Sequence, residues 1–226
     1  MSSRIRLTAL LTLPFLLAVA LFTALGGPAG ASPGHGARSA APRHHSAPVP
    51  RTTRHFTENI EPLAPYQPEK FCRHSVEPGV KRFARLLTRT YRSTAIVSEL
   101  RPCGSGVSEH YDGRALDWGV DHRKAADRRD GQAMLRWLFA TDRWGNKDAM
   151  LRRLGIMYVI WNKRIWGTWD RRWEPYSCHG VTACHVDHMH FSFGWAGAEA
   201  KTSWFSGRVS PVVGYPPHHK KKHKKS

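Results

Sequence analysis

Residues 185–193, HVDHMHFSF, place three histidines and an aspartate within six positions of a segment that otherwise resembles a strand. Successive side chains of a strand point to opposite faces, so His188 and His190 are predicted to share one face. His185 and Asp187 would then lie on the other face. Two imidazoles on a buried strand are costly unless their nitrogens find partners, which a metal ion, a hydrogen-bond network or a wet cleft would each provide.

A second group of such residues lies upstream, in SEHYDGRALD at residues 108–117. His110 and Asp117 are separated by Gly113, which allows the chain to turn back so that Ala115 and Asp117 share a strand face. With an imidazole from the histidine strand they would form a tetrahedral zinc site with one open position, as in catalytic zinc sites. On spacing alone, a surface turn with an incidental histidine and aspartate is the alternative.

Both segments resemble a known enzyme group. The first matches the S-x-H-x-x-G-x-A-x-D signature of zinc D-Ala-D-Ala peptidases at Ser108, His110, Gly113, Ala115 and Asp117. The second ends in an H-x-H, His188 and His190, as in the wider lysostaphin, D-Ala-D-Ala peptidase and hedgehog fold group. It most resembles the branch with a carboxypeptidase-type H-x-x-H-x-H ending, matched by His185, His188 and His190. The resemblance extends over about residues 98–205. It implies an α+β domain with an antiparallel sheet of about four strands and flanking helices, and hydrolysis of peptidoglycan stem peptides.

The resemblance also assigns roles. It implies that zinc is the cofactor, with the ligands His110, Asp117 and His190. It implies that His188 is the catalytic imidazole and that Arg101 faces the substrate carbonyl.

The general base remains open among His188, Asp187 and His185. Many relatives carry a glutamate base in E-x-x-H, and this chain has His185 in that position. His188 is favoured because it is predicted to share a face with His190. Asp187 is the second candidate, and it could instead orient His188, since such imidazoles usually donate their other N–H to an oxygen.

The N-terminus indicates export. Arg4 and Arg6 precede an apolar run at residues 7–25, which is followed by a small-residue A-x-A site ending at Ala31. This pattern is typical of a secretory signal peptide over residues 1–31, cleaved near Ala31, with an uncleaved anchor helix as the alternative. We therefore expect a secreted, extracellular or cell-wall-associated protein.

Composition divides the remaining chain into three parts. Residues 32–70 are rich in Pro, Ser, Ala and Arg, which predicts a disordered spacer. Residues 71–210 form the predicted zinc peptidase-like domain, and residues 211–226 form a basic His/Lys tail. An even number of cysteines in an exported chain indicates disulfides, and locality favours Cys72–Cys103 and Cys178–Cys184 among three pairings. A zinc knuckle formed by the second pair with His179 and His185 is the competing interpretation.

Periodicity predicts the elements of the domain. Helices are expected at residues 77–91, 131–142, 146–155 and 194–205, and strands at 94–100, 114–120, 156–162 and 185–193. A long loop is expected at residues 166–184. The four tryptophans at 161, 166, 169 and 173 could line a groove for glycan or peptide or pack in the core. Glu109 is expected to point away from the metal, and His122 to lie near the site or in an exposed turn.

A net charge of +18 and a pI of about 10.4 indicate attraction to polyanions. For an exported chain without a nucleic-acid motif, these are expected to be anionic cell-wall polymers, bound through the basic tail, rather than nucleic acid. The expected function is therefore a monomeric zinc metallopeptidase acting on peptidoglycan peptides. A non-catalytic cell-wall-binding module on the same fold is the alternative, and a basic secreted nuclease a distant third. The bond cleaved, whether DD, LD or endopeptidic, is left open.

Overall fold

The computed structural model describes residues 46–104 and 106–211, which belong to the second of two compact units, His45–Ser226. The expected signal peptide lies outside the described residues, as do the first part of the spacer and nearly all of the basic tail. No helix among the described residues has the length and apolar character needed to cross a membrane.

One antiparallel sheet forms the centre of the fold, in the order β1-β2-β6-β3-β4-β5. Its six strands are β1 Ala95–Ser98, β2 Ala115–Gly119, β3 Ile156–Trp161, β4 Arg164–Gly167, β5 Trp173–Pro175 and β6 Met189–Phe193. The predicted α+β class with an antiparallel sheet is confirmed, with six strands rather than about four.

The two additional strands lie at the end of the sheet where the sequence predicts a long loop. Asn162 and Lys163 both have positive φ, at 49° and 63°, and they connect Trp161 of β3 directly to Arg164 of β4. Two such residues form the tight turn that suits a hairpin. β5 then pairs back onto β4, with Trp173 opposite Trp166. Residues 166–184 are therefore only partly a loop.

Within residues 46–211, as far as they are described, five helices accompany the sheet: α1 Pro78–Thr90, α2 Ala125–Phe139, α3 Ala149–Leu154, α4 Trp195–Ala198 and α5 Ser203–Ser206. The predicted helix at 131–142 starts earlier, and the one at 146–155 is shorter. The predicted closing helix at 194–205 is instead two short helices. Between them Ala200 has a left-handed φ of 59°, which a continuous helix does not allow.

The two faces of the sheet differ in chemistry because side chains alternate along each strand. Phe83 of α1 contacts Phe191 and Phe193 of β6, with ring centroids 5.1 and 5.4 Å apart, so these β6 residues face the helices and the main core. His190, which precedes these two phenylalanines, and Ser192, which lies between them, point to the opposite face. Asp117 of β2 lies on that same opposite face, because its neighbours belong to the core.

The described part of the expected spacer packs against the domain. Glu61 is buried and accepts hydrogen bonds from the backbone N–H and hydroxyl of Ser203 and from the backbone N–H of Ser210. The buried Arg153 donates to the carbonyl of Thr57 at 2.9 Å. The buried Arg114 donates in the same way to a carbonyl further along this segment, at residue 67. The segment up to residue 70 lacks helices and strands, as the composition suggested, but buried charged groups hold it in place.

Two disulfides are present, Cys72–Cys103 and Cys178–Cys184, as predicted. The first joins the segment before α1 to the loop that carries Arg101. The second closes the loop immediately before the histidine segment. No cysteine remains to form a zinc knuckle, since all four are paired, and His179 is exposed. Disulfides fit an oxidising environment.

Candidate metal centre

The centre of the candidate site is a register match between two neighbouring strands. Asp117 of β2 lies directly opposite His190 of β6, and both side chains point away from the helices. His190 Nδ1 lies 2.9 Å from Asp117 Oδ1. The sequence predicted that these two segments meet, and the structure shows the pairing that brings them together.

His110 reaches the same carboxylate from the turn that precedes β2. Its ring is fully buried, its Nε2 lies 3.2 Å from Asp117 Oδ2, and its centroid is 5.1 Å from that of His190. Gly113 makes the turn possible with a φ of 69°, and a Cβ there would lie 2.3 Å from the carbonyl oxygen of Ser75. Only glycine fits this position, as the spacing suggested.

The other two histidines also converge on Asp117. His188 Nε2 lies 3.7 Å from Asp117 Oδ1, and the ring centroids of His185 and His188 are 4.7 Å apart. The prediction that His185 lies on the opposite face from His188 and His190 is wrong. β6 begins only at Met189, and His185 has a left-handed φ of 51°, so strand alternation does not apply to it.

Asp187 holds His188 from outside the cluster. Its Oδ1 lies 2.8 Å from His188 Nδ1, and its Oδ2 accepts a 2.7 Å hydrogen bond from the hydroxyl of Thr182. This carboxylate fixes the ring and leaves Nε2 directed towards Asp117. The contact matches the orienting role considered for Asp187.

Arg101 contacts the cluster as well. Its guanidinium donates to Asp117 Oδ2 at 2.8 Å, while its side chain stays about half exposed at 48%. It therefore lies at the rim of the site, bound to the carboxylate.

The pKa directions follow from burial and these contacts. Burial alone would raise the pKa of Asp117, but the close contacts of His110 and His190 outweigh it and hold the pKa well below its usual value. Burial lowers the pKa of His110. Burial, together with His190 and His188, lowers the pKa of His185 to about 3. His110 and His185 are thus neutral at pH 7, the form in which an imidazole binds metal.

A network behind His190 was not predicted. Glu109, which was expected to point away from the metal, belongs to neither group of candidate ligands, but it is buried behind His190, where its Oε2 accepts a hydrogen bond from the hydroxyl of Tyr158. Ser192 Oγ lies 3.0 Å from His190 Nε2 and 3.5 Å from the same Glu109 oxygen. The S-x-H pattern carries no signal for this contact, which depends on the neighbouring strand β3.

The donor atoms fit a metal ion. His110, Asp117 and His190 each offer an atom within 4.8 Å of the others, and Asp117, His185 and His188 form a second such group. Within the described part of the chain, neither nitrogen of His110 makes a hydrogen bond of good geometry, although Nε2 lies 3.2 Å from Asp117 Oδ2, and His188 Nε2 also lacks a hydrogen bond. Buried polar atoms without partners are rare, and a cation held by the cluster would satisfy one of the two nitrogens of His110. Nitrogen and oxygen donors in this number suit zinc.

The remaining candidate residues lie elsewhere. His122 contacts Asn162 Nδ2 at 3.3 Å and the ring of Trp161, outside the cluster. Trp161 and Trp166 belong to the core, and the half-buried Trp173 packs against it, so the core interpretation holds for these three. Trp169 is exposed, and its ring lies 6.0 Å from that of Tyr158.

The comparisons with known proteins give one family. The family model described as VldE, C-terminal domain, matches residues 72–187, which include His110, Asp117 and His185. No curated protein and no solved structure matches the chain. No zinc peptidase family is identified, so the resemblance to those enzymes remains an expectation. Because the match covers slightly more than half of the 226 residues, the chain belongs to the VldE C-terminal domain family.

Proposed function

We propose that this protein is a secreted, zinc-dependent hydrolase that cleaves peptide bonds in peptidoglycan stem peptides or cross-links. The observation that carries the proposal is the convergence of His110, Asp117 and His190. They come from the two sequence segments that resemble the metal-binding motifs of zinc peptidases. Burying His110, whose ring nitrogens make no hydrogen bond, beside a carboxylate is costly in a fold that does not use the arrangement.

Three residues would hold the zinc, and their fixed positions support this role. Asp117 and His190 are fixed by strand pairing, and His110 by the turn at Gly113. A zinc ion there would polarise a peptide carbonyl and activate water near neutral pH. A set of three protein ligands, rather than four, would suit a catalytic zinc better than a structural one.

His188 would act as the general base. Its Nε2 points at the cluster, and Asp187 holds Nδ1 at 2.8 Å, which favours the tautomer whose Nε2 can accept a proton. Asp187 would then be the orienting group rather than the base. His185 is the weaker candidate, since the low pKa that burial gives its ring makes it a poor proton acceptor. Arg101, at the rim, would stabilise negative charge developing on the carbonyl oxygen.

The test is hydrolysis of purified muropeptides. Full-length protein, loaded with zinc or stripped of it, is incubated with muropeptides, and the products are identified by mass spectrometry. We expect cleavage by the zinc-loaded protein and none after stripping or in Asp117→Ala. His122→Ala, which changes a histidine outside the cluster, is the matched control and should cleave normally. If the zinc-loaded wild-type protein gave no cleaved product, the proposed enzymatic function would be wrong.

Two observations favour the second candidate function, a cell-wall-binding module that holds metal without turnover. His185 occupies the position of the glutamate base in many relatives, and Arg101 engages Asp117 directly. Sedimentation with insoluble cell walls separates the two functions. Zinc-dependent co-sedimentation without release of soluble peptides would favour the module.

Export and charge support the location of this activity. The two disulfides fit an oxidising compartment, and the N-terminal sequence resembles a cleaved signal peptide. The basic C-terminal run would retain a monomeric enzyme on anionic wall polymers, an attraction that salt should weaken.

A further inference from the structure

An open cavity of about 420 Å³ lies beside the imidazole cluster. Six residues line it: Tyr66, Tyr158, Ile160, Ile165, Trp169 and Tyr176. The ring of Tyr158 stacks on His190 at 5.5 Å, with an interplanar angle of 20°. The ring of Tyr176 meets His185 edge-on at 5.4 Å. A molecule held at the cluster would therefore extend directly into this cavity.

Trp169 is placed in the cavity wall by its neighbours. A Cβ on Gly167 would lie within 2.3 Å of the indole ring, so the absence of a side chain there lets the indole lie close against β4. Thr168 fixes the same turn by donating its hydroxyl to the carbonyl of Ala64 at 2.6 Å. The indole is nevertheless 51% exposed, and it is held where it can contact a ligand.

Three aromatic rings of the cavity form a connected surface. Trp169 lies 5.7 Å from Tyr66 and 6.0 Å from Tyr158, measured between ring centroids. The hydroxyl of Tyr158 is already donated to Glu109, so this residue offers its ring face rather than a polar group. The surface is therefore suited to flat, apolar contact.

The charge of the lining restricts the ligand. None of the six lining residues carries a charged side chain, so a carboxylate, phosphate or ammonium group would lose its hydration here without a compensating partner. Aromatic faces with phenol groups at their edges suit a ligand with C–H groups on its faces and hydroxyl or amide groups around its rim. A pyranose ring has this arrangement, whereas an aliphatic side chain lacks the polar rim.

We propose that this cavity is a sugar subsite that binds an uncharged pyranose ring of the glycan strand and so presents the attached peptide to the imidazole cluster. The proposal deepens the proposed function and rests on it for the identity of the polymer. Binding of the sugar itself requires neither the metal nor a peptide, because no lining residue belongs to either group of candidate ligands.

The test is binding of tri-N-acetylchitotriose, which has no peptide bond, to the full-length protein by isothermal titration calorimetry, with and without zinc. We expect saturable binding in both conditions, weakened about tenfold or more in Trp169→Ala, since central aromatic contacts dominate binding at such sites. Trp144→Ala is the matched control, because Trp144 is also partly exposed but packs against Arg143 outside the cavity. It should bind as the wild type does.

Each remaining outcome decides the matter. If Trp169→Ala fails to fold by circular dichroism, Tyr66→Ala replaces it, since Tyr66 is 49% exposed and changes the same surface. Absence of saturable sugar binding overturns the proposal, as does binding that both cavity variants leave unchanged. A blocked alanine dipeptide that binds through Trp169 while the sugar does not would also overturn it. Sugar binding without muropeptide hydrolysis would support the sugar subsite and contradict the proposed hydrolase function.

Discussion

Ser192 Oγ lies 3.0 Å from His190 Nε2, on the side of the imidazole opposite Asp117. The two ring nitrogens of His190 thus have separate partners, with Nδ1 facing the cluster and Nε2 facing a hydroxyl. Glu109 lies behind that hydroxyl, 3.5 Å from it. A carboxylate behind a ligating histidine is a common device for fixing the ring and raising its basicity.

Ser192→Ala should weaken zinc binding about 10–100-fold, because His190 would lose the group that fixes its orientation. The measurement is zinc affinity by competition with a chromophoric chelator, in variants whose thermal unfolding matches the wild type. Ser206→Ala, which removes an exposed hydroxyl at the end of α5, is the control. Equal zinc affinity in Ser192→Ala and wild type would show that the contact does not support the metal.

The folded protein should bind about one zinc ion, and His110→Ala should lose it, because two protein ligands hold zinc far more weakly than three. Elemental analysis after equilibration with zinc and removal of excess metal gives the stoichiometry. His122→Ala should keep the ion, since its ring packs on Trp161 instead. A wild-type protein that binds no zinc under these conditions would rule out the metal centre.

The candidate ligands could be predicted from the sequence because a turn glycine and the alternation of side chains along a strand both produce a recognisable spacing of residues. Gly113 and the i, i+2 spacing of His188 and His190 are local features that a single sequence displays. The position of His185 depends on a left-handed backbone that only the surrounding turn imposes, so strand periodicity misplaced it.

The same distinction between local and tertiary information explains the other differences. The hairpin at Asn162 and Lys163 has a weak turn signal, and β5 has only three residues, so the edge of the sheet looked like a loop. Residues 46–70 have the composition of a spacer. They are ordered by distant partners such as Arg114 and Arg153, which no local pattern reveals.

Arg114→Ala should destabilise the fold by about 3–5 kcal/mol, because it leaves the buried carboxylate of Asp112 without its cation. Loss of the bonds to the carbonyl of Phe193 and to the N-terminal segment adds to the effect. Urea unfolding followed by circular dichroism measures the change. The control Arg172→Ala breaks a contact with Glu174 between two exposed side chains, and should change stability little. Equal losses in the two variants would contradict the argument.

The mature protein should contain no free thiol, with Cys178 linked to Cys184 and Cys72 to Cys103. Peptide mapping under non-reducing conditions, after alkylation of the unfolded chain, should give both linked peptides. The same mapping after reduction serves as the control and should give four alkylated cysteines. Alkylated Cys178 or Cys184 in the unreduced sample would refute this pairing and restore the zinc knuckle with His179 and His185.

His188→Ala should keep zinc but lower turnover of muropeptides by at least about a hundredfold, because general acid–base groups contribute about 10²–10⁴-fold. The three proposed ligands are untouched, and Nε2 of His188 is the group directed at the cluster. Arg101→Ala should likewise keep zinc and lose rate, through weaker stabilisation of the oxyanion. Zinc content and hydrolysis rate are measured on the same preparations, so that loss of metal and loss of chemistry are separated.

Asp187→Asn then distinguishes the two roles of the carboxylate beside His188. An orienting group 2.8 Å from Nδ1 can be partly replaced by an amide oxygen, so measurable activity should remain. If Asp187 were instead the base, its loss would abolish turnover while His188→Ala left much of it. If His188→Ala kept its zinc and hydrolysed muropeptides at the wild-type rate, the general base would therefore be Asp187 or His185. His185→Ala decides between these two, because His185 belongs to the cluster with Asp117, whereas Asp187 contacts Nδ1 of His188.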